Sequence, residues 1–145
     1  MKRNIKYIVV HCTATPTTAT IEAIQNYWQH HLGWTHNGYH YIILRDGTVE
    51  NITPEAEIAN GVAGFNSSSI HLSYIGGIDT NGIPQDNRTP AQKEAMFNLI
   101  MELSHRYPNA EIKGHRDFPM VKKACPSFDV KQWLATYEPT FLQAA

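Results

Sequence analysis

"KYIVVHC", Lys6 to Cys12, decides the fold. Tyr7, Ile8, Val9 and Val10 follow one another without a polar break. A short apolar run of this kind, rich in β-branched residues, marks a strand buried on both faces. Such a strand needs a layer above it and a layer below it, and the rest of the chain has to supply them. Successive strand side chains point to opposite faces, so His11 and Cys12 look to opposite sides of the sheet and serve one metal only if the strand bends. His11 stands at the C-terminal end of the strand, where open α/β sheets place their binding sites. Taken alone, it is more readily read as a buried histidine bonded to a backbone carbonyl.

Working outward, "TATPTTAT" (13–20) is a loop rich in Thr and Pro. "TIEAIQNYWQHHLGW" (20–34) places Ile21, Ile24, Trp28 and Leu32 on one helical stripe, and Gly33 is a stop signal. "GYHYIILRDGTVE" (38–50) reads as a strand, an Asp46-Gly47 turn and a short return strand. In that strand alternation puts Tyr39 on one face with Tyr41 and Ile43, and His40 on the other. "SIHLSYIGGID" (69–79) is a second buried strand closed by Gly76 and Gly77, with His71, Ser73 and Ile75 sharing a face. At "TPAQ" a helix opens: Thr89 caps it, Pro90 takes its first position and Gln92 completes a capping box. Met96, Leu99, Ile100 and Leu103 form its core stripe, and Pro108 follows its end. "AEIKG" (110–114) is a short strand leading into His115. The last helix carries Val130, Trp133, Leu134 and Tyr137 on one face and is capped by Ser127 or Asp129. Strands interleaved with helices predict an α/β single domain over 1–145, a central mixed β-sheet flanked by about three α-helices.

Composition narrows the function. The 145 residues are 42% hydrophobic and 17% charged, with a formal net charge of -1, so the broad basic footprint of a nucleic-acid binder is missing. No apolar run approaches the roughly 18 residues of a membrane span. The N-terminus reads as the first strand, because its apolar stretch is too short for a signal peptide and lacks a small-residue cleavage site. Two cysteines without a secretion signal are expected to be thiols in a reducing compartment. A disulfide between Cys12 and Cys125 is the competing reading.

The chemistry-bearing stretch is "GHRDFPMVKKACPSFD" (114–129). His115 sits at the end of a predicted strand, as His11 does, and Cys125 follows ten residues later. Two histidines and a thiolate make three ligands, the number found in catalytic zinc sites that keep a fourth position open. A structural zinc site needs a fourth protein ligand. Lys123, two residues before Cys125, is placed to reach the oxygen of a bound carbonyl, whereas Lys122 reads as a solvated loop lysine.

Taken together, "YIVVHCTAT", "GYHYIILRDGTVE", "NSSSIHLSYIGGID", "TPAQ", "GHRDF" and "KKACPSFD" resemble, in order and spacing, the zinc-dependent N-acetylmuramoyl-L-alanine amidases, the type that includes phage lysozymes of this class and the peptidoglycan recognition proteins. The resemblance spans Tyr7 to about Trp133. It implies Zn²⁺ at the bottom of a surface groove, with His11, His115 and Cys125 as ligands and Tyr39 and Lys123 as catalytic residues. It further implies hydrolysis of the amide joining N-acetylmuramic acid to L-alanine of the stem peptide. Tyr39 then orients the attacking water or accepts its proton, and Lys123 holds the oxyanion. This chain departs from the pattern at His71, where many relatives have glycine, and at Gly61 and Val62, where a histidine or small polar pair is common. His71 is expected either to be a packed polar residue or to border the groove.

The expected partner is peptidoglycan, for a monomer with no nucleic acid and no membrane insertion. A phage or prophage endolysin, made in the cytoplasm without a signal peptide and acting on the wall after release, is the expected setting. An amidase for soluble muropeptides and a binding module without catalysis are the alternatives; Cys125 speaks against the second, because such modules typically lose that ligand.

Overall fold

The computed structural model describes residues 3–139. The chain runs β1 (Tyr7–Cys12), α1 (Ile21–Asn26), β2 (Tyr41–Ile43), β3 (Val49–Asn51), β4 (Ser69–Tyr74), α2 (Pro90–Arg106), β5 (Glu111–Gly114) and α3 (Val130–Thr136). Among the described residues five strands form one sheet in the order β3-β2-β4-β1-β5. β1 pairs in parallel with β4 and β5, β2 pairs in parallel with β4, and β2 and β3 form the antiparallel hairpin. The sheet is mixed, as the strand pattern predicts.

Side-chain alternation divides the sheet into two unlike faces. Ile8, Val10 and Cys12 of β1 join Ile70, Leu72 and Tyr74 of β4 on one face. There they pack against Met96, Leu99, Ile100 and Leu103 of α2 and Val130 of α3. Burying each large aliphatic side chain contributes about 1.5–3 kcal/mol, so this layer supplies much of the drive to fold. The opposite face holds two smaller apolar clusters, one around Ile24, Trp28 and Ile42 and one around Val9, Val62 and Phe118. His11, His71 and Ser73 are also buried, and alternation sets them on this second face.

The helix opening at Thr89 forms as its sequence requires. Thr89 Oγ1 accepts from the Gln92 amide at 3.0 Å, and Gln92 Oε1 accepts from the Thr89 amide at 3.0 Å. Gln92 does more than cap. Its Nε2 donates to the carbonyls of Ile43 and Ile75, each at 3.2 Å, and so ties the helix to the ends of β2 and β4. α3 is capped by Asp129, whose side chain accepts from Gln132 N.

Two expectations need correction. The stripe through Ile21, Ile24, Trp28 and Leu32 does not persist along one regular helix. After α1 the chain widens into a π-helical turn, Tyr27–His31, closed by Leu32 N donating to Tyr27 O. Widening rotates the following residue, so Ile24 and Trp28 are buried while Leu32 is 44% exposed. Gly33, at φ +68, ends the segment as expected. Tyr39, secondly, does not share a face with Tyr41 and Ile43. The His40 carbonyl accepts from both Ile52 N and Thr53 N, a bulge-like pairing that interrupts alternation before β2 begins. Tyr39 therefore packs with Trp28 and Ile42, on the face that carries His11.

Candidate metal centre

Parallel register brings the two histidines together. Val10 lies opposite Gly114, so the next residues along β1 and β5 are His11 and His115, and their ring centroids are 4.8 Å apart. Cys125 reaches them on the loop that follows β5. Arg116 N donates to Cys125 O at 2.9 Å, Tyr74 Oη donates to Pro126 O at 2.7 Å, and Ser127 Oγ donates to Gly77 O at 2.9 Å. Those bonds pin the loop across the C-terminal ends of β4 and β5. Cys12 N donates to Cys125 Sγ at 3.2 Å, and His11 Nδ1 lies 3.8 Å from the same sulfur. One ligand atom from each of His11, His115 and Cys125 lies within 4.8 Å of the others. Two imidazoles and a thiol at that separation are a donor set for a soft or borderline divalent metal.

The electrostatics favour neutral imidazoles. Burial, then the charges of His71, His115 and Lys123, hold His11 well below its ordinary pKa. Burial and then Lys123 bring His115 down to about 4. A neutral ring keeps the lone pair that a metal needs. Cys125 is pushed up, first by its hydrogen bond with the Cys12 thiol and then by burial. A thiolate at that position calls for a cation beside it. Cys12 faces the α2 side of the sheet and stands outside the ligand cluster, and both cysteines are free thiols.

Tyr39 and Lys123 line the same groove as the three candidate ligands, a depression of about 690 Å³ whose apolar wall includes Trp28 and Trp34. The Tyr39 ring centroid is 5.0 Å from that of His11, and its hydroxyl donates to Cys12 O at 3.2 Å. Burial, followed by the nearby thiols, pushes Tyr39 ionisation far up, so it remains a phenol. Lys123 is solvent-exposed on the loop.

His71 is the packed polar residue of the first expectation, not a residue bordering the groove, but sequence reasoning missed its partner. It is fully buried and does not line the groove. Its Nδ1 lies 2.9 Å from His11 Nε2, so His11 is bonded to another imidazole rather than to a backbone carbonyl. Strand alternation alone hints at this, since His11 and His71 fall on one face once β1 and β4 pair in parallel.

Residues 1–128 match the protein family described as N-acetylmuramoyl-L-alanine amidase. The chain is 41% identical over 133 residues to an endolysin of Klebsiella phage KP32, covering 91% of this chain and 87% of that protein. It is 39% identical over 127 residues to an endolysin of Escherichia phage T7, covering 87% of this chain and 83% of that protein. Among solved structures it is similar to the Ph2119 endolysin from Thermus scotoductus MAT2119 bacteriophage Ph2119, with a TM-score of 0.78 and 28% identity over 93% of this chain and 85% of that one. The family match, the identity to phage endolysins and the shared fold agree: the chain belongs to the N-acetylmuramoyl-L-alanine amidase family and is a peptidoglycan hydrolase.

Proposed function

We propose that this amidase is zinc-dependent, that His11, His115 and Cys125 hold the Zn²⁺, and that Tyr39 and Lys123 complete the site. The convergence of those three ligand atoms in a chain of this family carries the reading. Two nitrogens and one sulfur leave a fourth tetrahedral position free, as a hydrolytic site requires. When bound, zinc supplies Lewis acidity toward water and toward the scissile carbonyl.

The chain's own residues do the rest. The groove seats the muramyl–peptide junction so that its carbonyl carbon faces the three ligands. Tyr39, held as a phenol, orients the attacking water through its hydroxyl rather than taking a proton from it. Lys123 presents an ammonium to the carbonyl oxygen as negative charge develops there. Water adds to the carbonyl carbon, the C–N bond breaks, and the L-alanine nitrogen leaves as a protonated amine. The lactyl group of the sugar keeps the carboxylate. Similarity to phage endolysins supports a lytic setting, in which the protein meets peptidoglycan after release from the cell interior.

Cys125→Ala tests the ligand set. The purified variant is expected to lose its metal, measured as zinc per chain, together with its lysis of purified walls. Full lytic activity in a metal-free variant would overturn the zinc reading.

A further inference from the structure

We infer that His71 is a positioning residue for His11: it fixes which His11 nitrogen carries the proton and so aims the other at the metal. The inference rests on the reading of His11 as a ligand. Its logic starts at Asn66. The Val62 amide donates to Asn66 Oδ1 at 2.7 Å, and an amide N–H can only donate, so the Asn66 atom there is oxygen. His71 Nε2 lies 2.9 Å from that same oxygen and must therefore carry a proton. In a neutral ring that leaves His71 Nδ1 as the acceptor, and its partner at 2.9 Å, His11 Nε2, as the donor. His11 Nδ1 is then bare, and it is the atom that lies 3.8 Å from Cys125 Sγ.

The relay is held in place from both sides. The His71 backbone amide donates to His40 Nδ1 at 3.0 Å, and the His71 carbonyl accepts from His40 N at 2.9 Å. On the other side Gly61 makes the room: a β-carbon at that position would overlap the His71 imidazole. Gly61 and His71 are thus a matched pair that meets in one contact. Neighbours that orient a metal-ligating imidazole commonly affect metal affinity by about 10–100-fold.

The test uses zinc affinity, measured by competition with a chromophoric chelator, and imidazole ¹⁵N NMR on the unaltered protein. In the spectra His11 and His71 are expected to show the Nε2–H tautomer; an Nδ1–H tautomer in either ring overturns the inference. His71→Leu should weaken zinc binding about 10–100-fold, while His71→Asn, whose Oδ1 stands where His71 Nδ1 stood, should restore most of it. Leucine binding zinc as tightly as the unaltered protein, or asparagine binding no better than leucine, also overturns it. Gly61→Ala, which leaves His71 in the chain, should weaken zinc binding in the same sense. Failure of the unaltered protein to bind zinc would instead overturn the ligand assignment on which the inference rests.

Discussion

Lys123 carries a positive charge that its neighbours already feel, since it helps to lower both His11 and His115. The proposed role has that same charge act on a carbonyl oxygen bound beside those rings. Lys123→Ala is expected to retain zinc at the level of the unaltered protein while turnover falls on the order of 10²–10³-fold. Metal content and initial rates of wall solubilisation measure the two separately, and unchanged rates would remove the role assigned to Lys123. At this scale the sequence was informative about the candidate ligands, because His11, His115 and Cys125 each stand beside a recognisable strand end or motif. It gave a face for His11 and His71 but not their contact. The partners lie 60 residues apart, and only the register of β1 against β4 brings them into contact.

Gln92 shows how one element is fastened to the next. The capping box at "TPAQ" was legible because its two bonds lie within four residues of chain. The bonds from Gln92 Nε2 to Ile43 and Ile75 were not, since they depend on how α2 lies against the sheet. Thr89→Ala is expected to cost about 1 kcal/mol, the usual loss for a helix cap. Gln92→Ala removes the cap's second bond and also two bonds to the carbonyls of Ile43 and Ile75, which keep Ile75 N and Arg45 Nη1 as their other donors; at about 0.5–1.5 kcal/mol per bond it is expected to cost more. Chemical denaturation of both variants checks the order; a smaller loss for Gln92→Ala would show that its sheet bonds add nothing. The same scale explains the two misread segments. Periodicity points to a helix through Leu32 and a strand through Tyr39. The π turn and the double acceptance at His40 each shift the phase by a residue, and local pattern does not reveal such shifts.

Across the whole molecule, the sheet divides labour between its faces, with α2 and α3 building the core on one and the polar centre set between apolar clusters on the other. The α/β layering was legible because buried strands and amphipathic helices alternate along the chain. Burying histidines beneath that second face ties stability to pH. Burial, opposed by the bond to the Glu57 carbonyl, brings His40 from its ordinary 6.5 down to about 4. Between those values the unfolded chain binds a proton that the folded chain refuses, so stability is full above about pH 6.5 and declines as pH falls toward 4. The contribution is at most about 3 kcal/mol. Thermal unfolding at fixed zinc should show a lower midpoint at pH 4.5 than at pH 7 (roughly the two sides of this window), and His40→Asn should flatten that slope. An equal slope in the variant would assign the pH dependence elsewhere.

The central claim, that this groove cuts the muramyl–alanine amide with zinc held by His11, His115 and Cys125, is tested most directly by mass spectrometry of the products released from purified sacculi. The account predicts new free L-alanine N-termini and peptide-free muramic acid residues, with no new glycan reducing ends. It also predicts that a zinc chelator abolishes the release and that added zinc restores it. New reducing ends without free L-alanine termini, or undiminished release in the presence of the chelator, would contradict it.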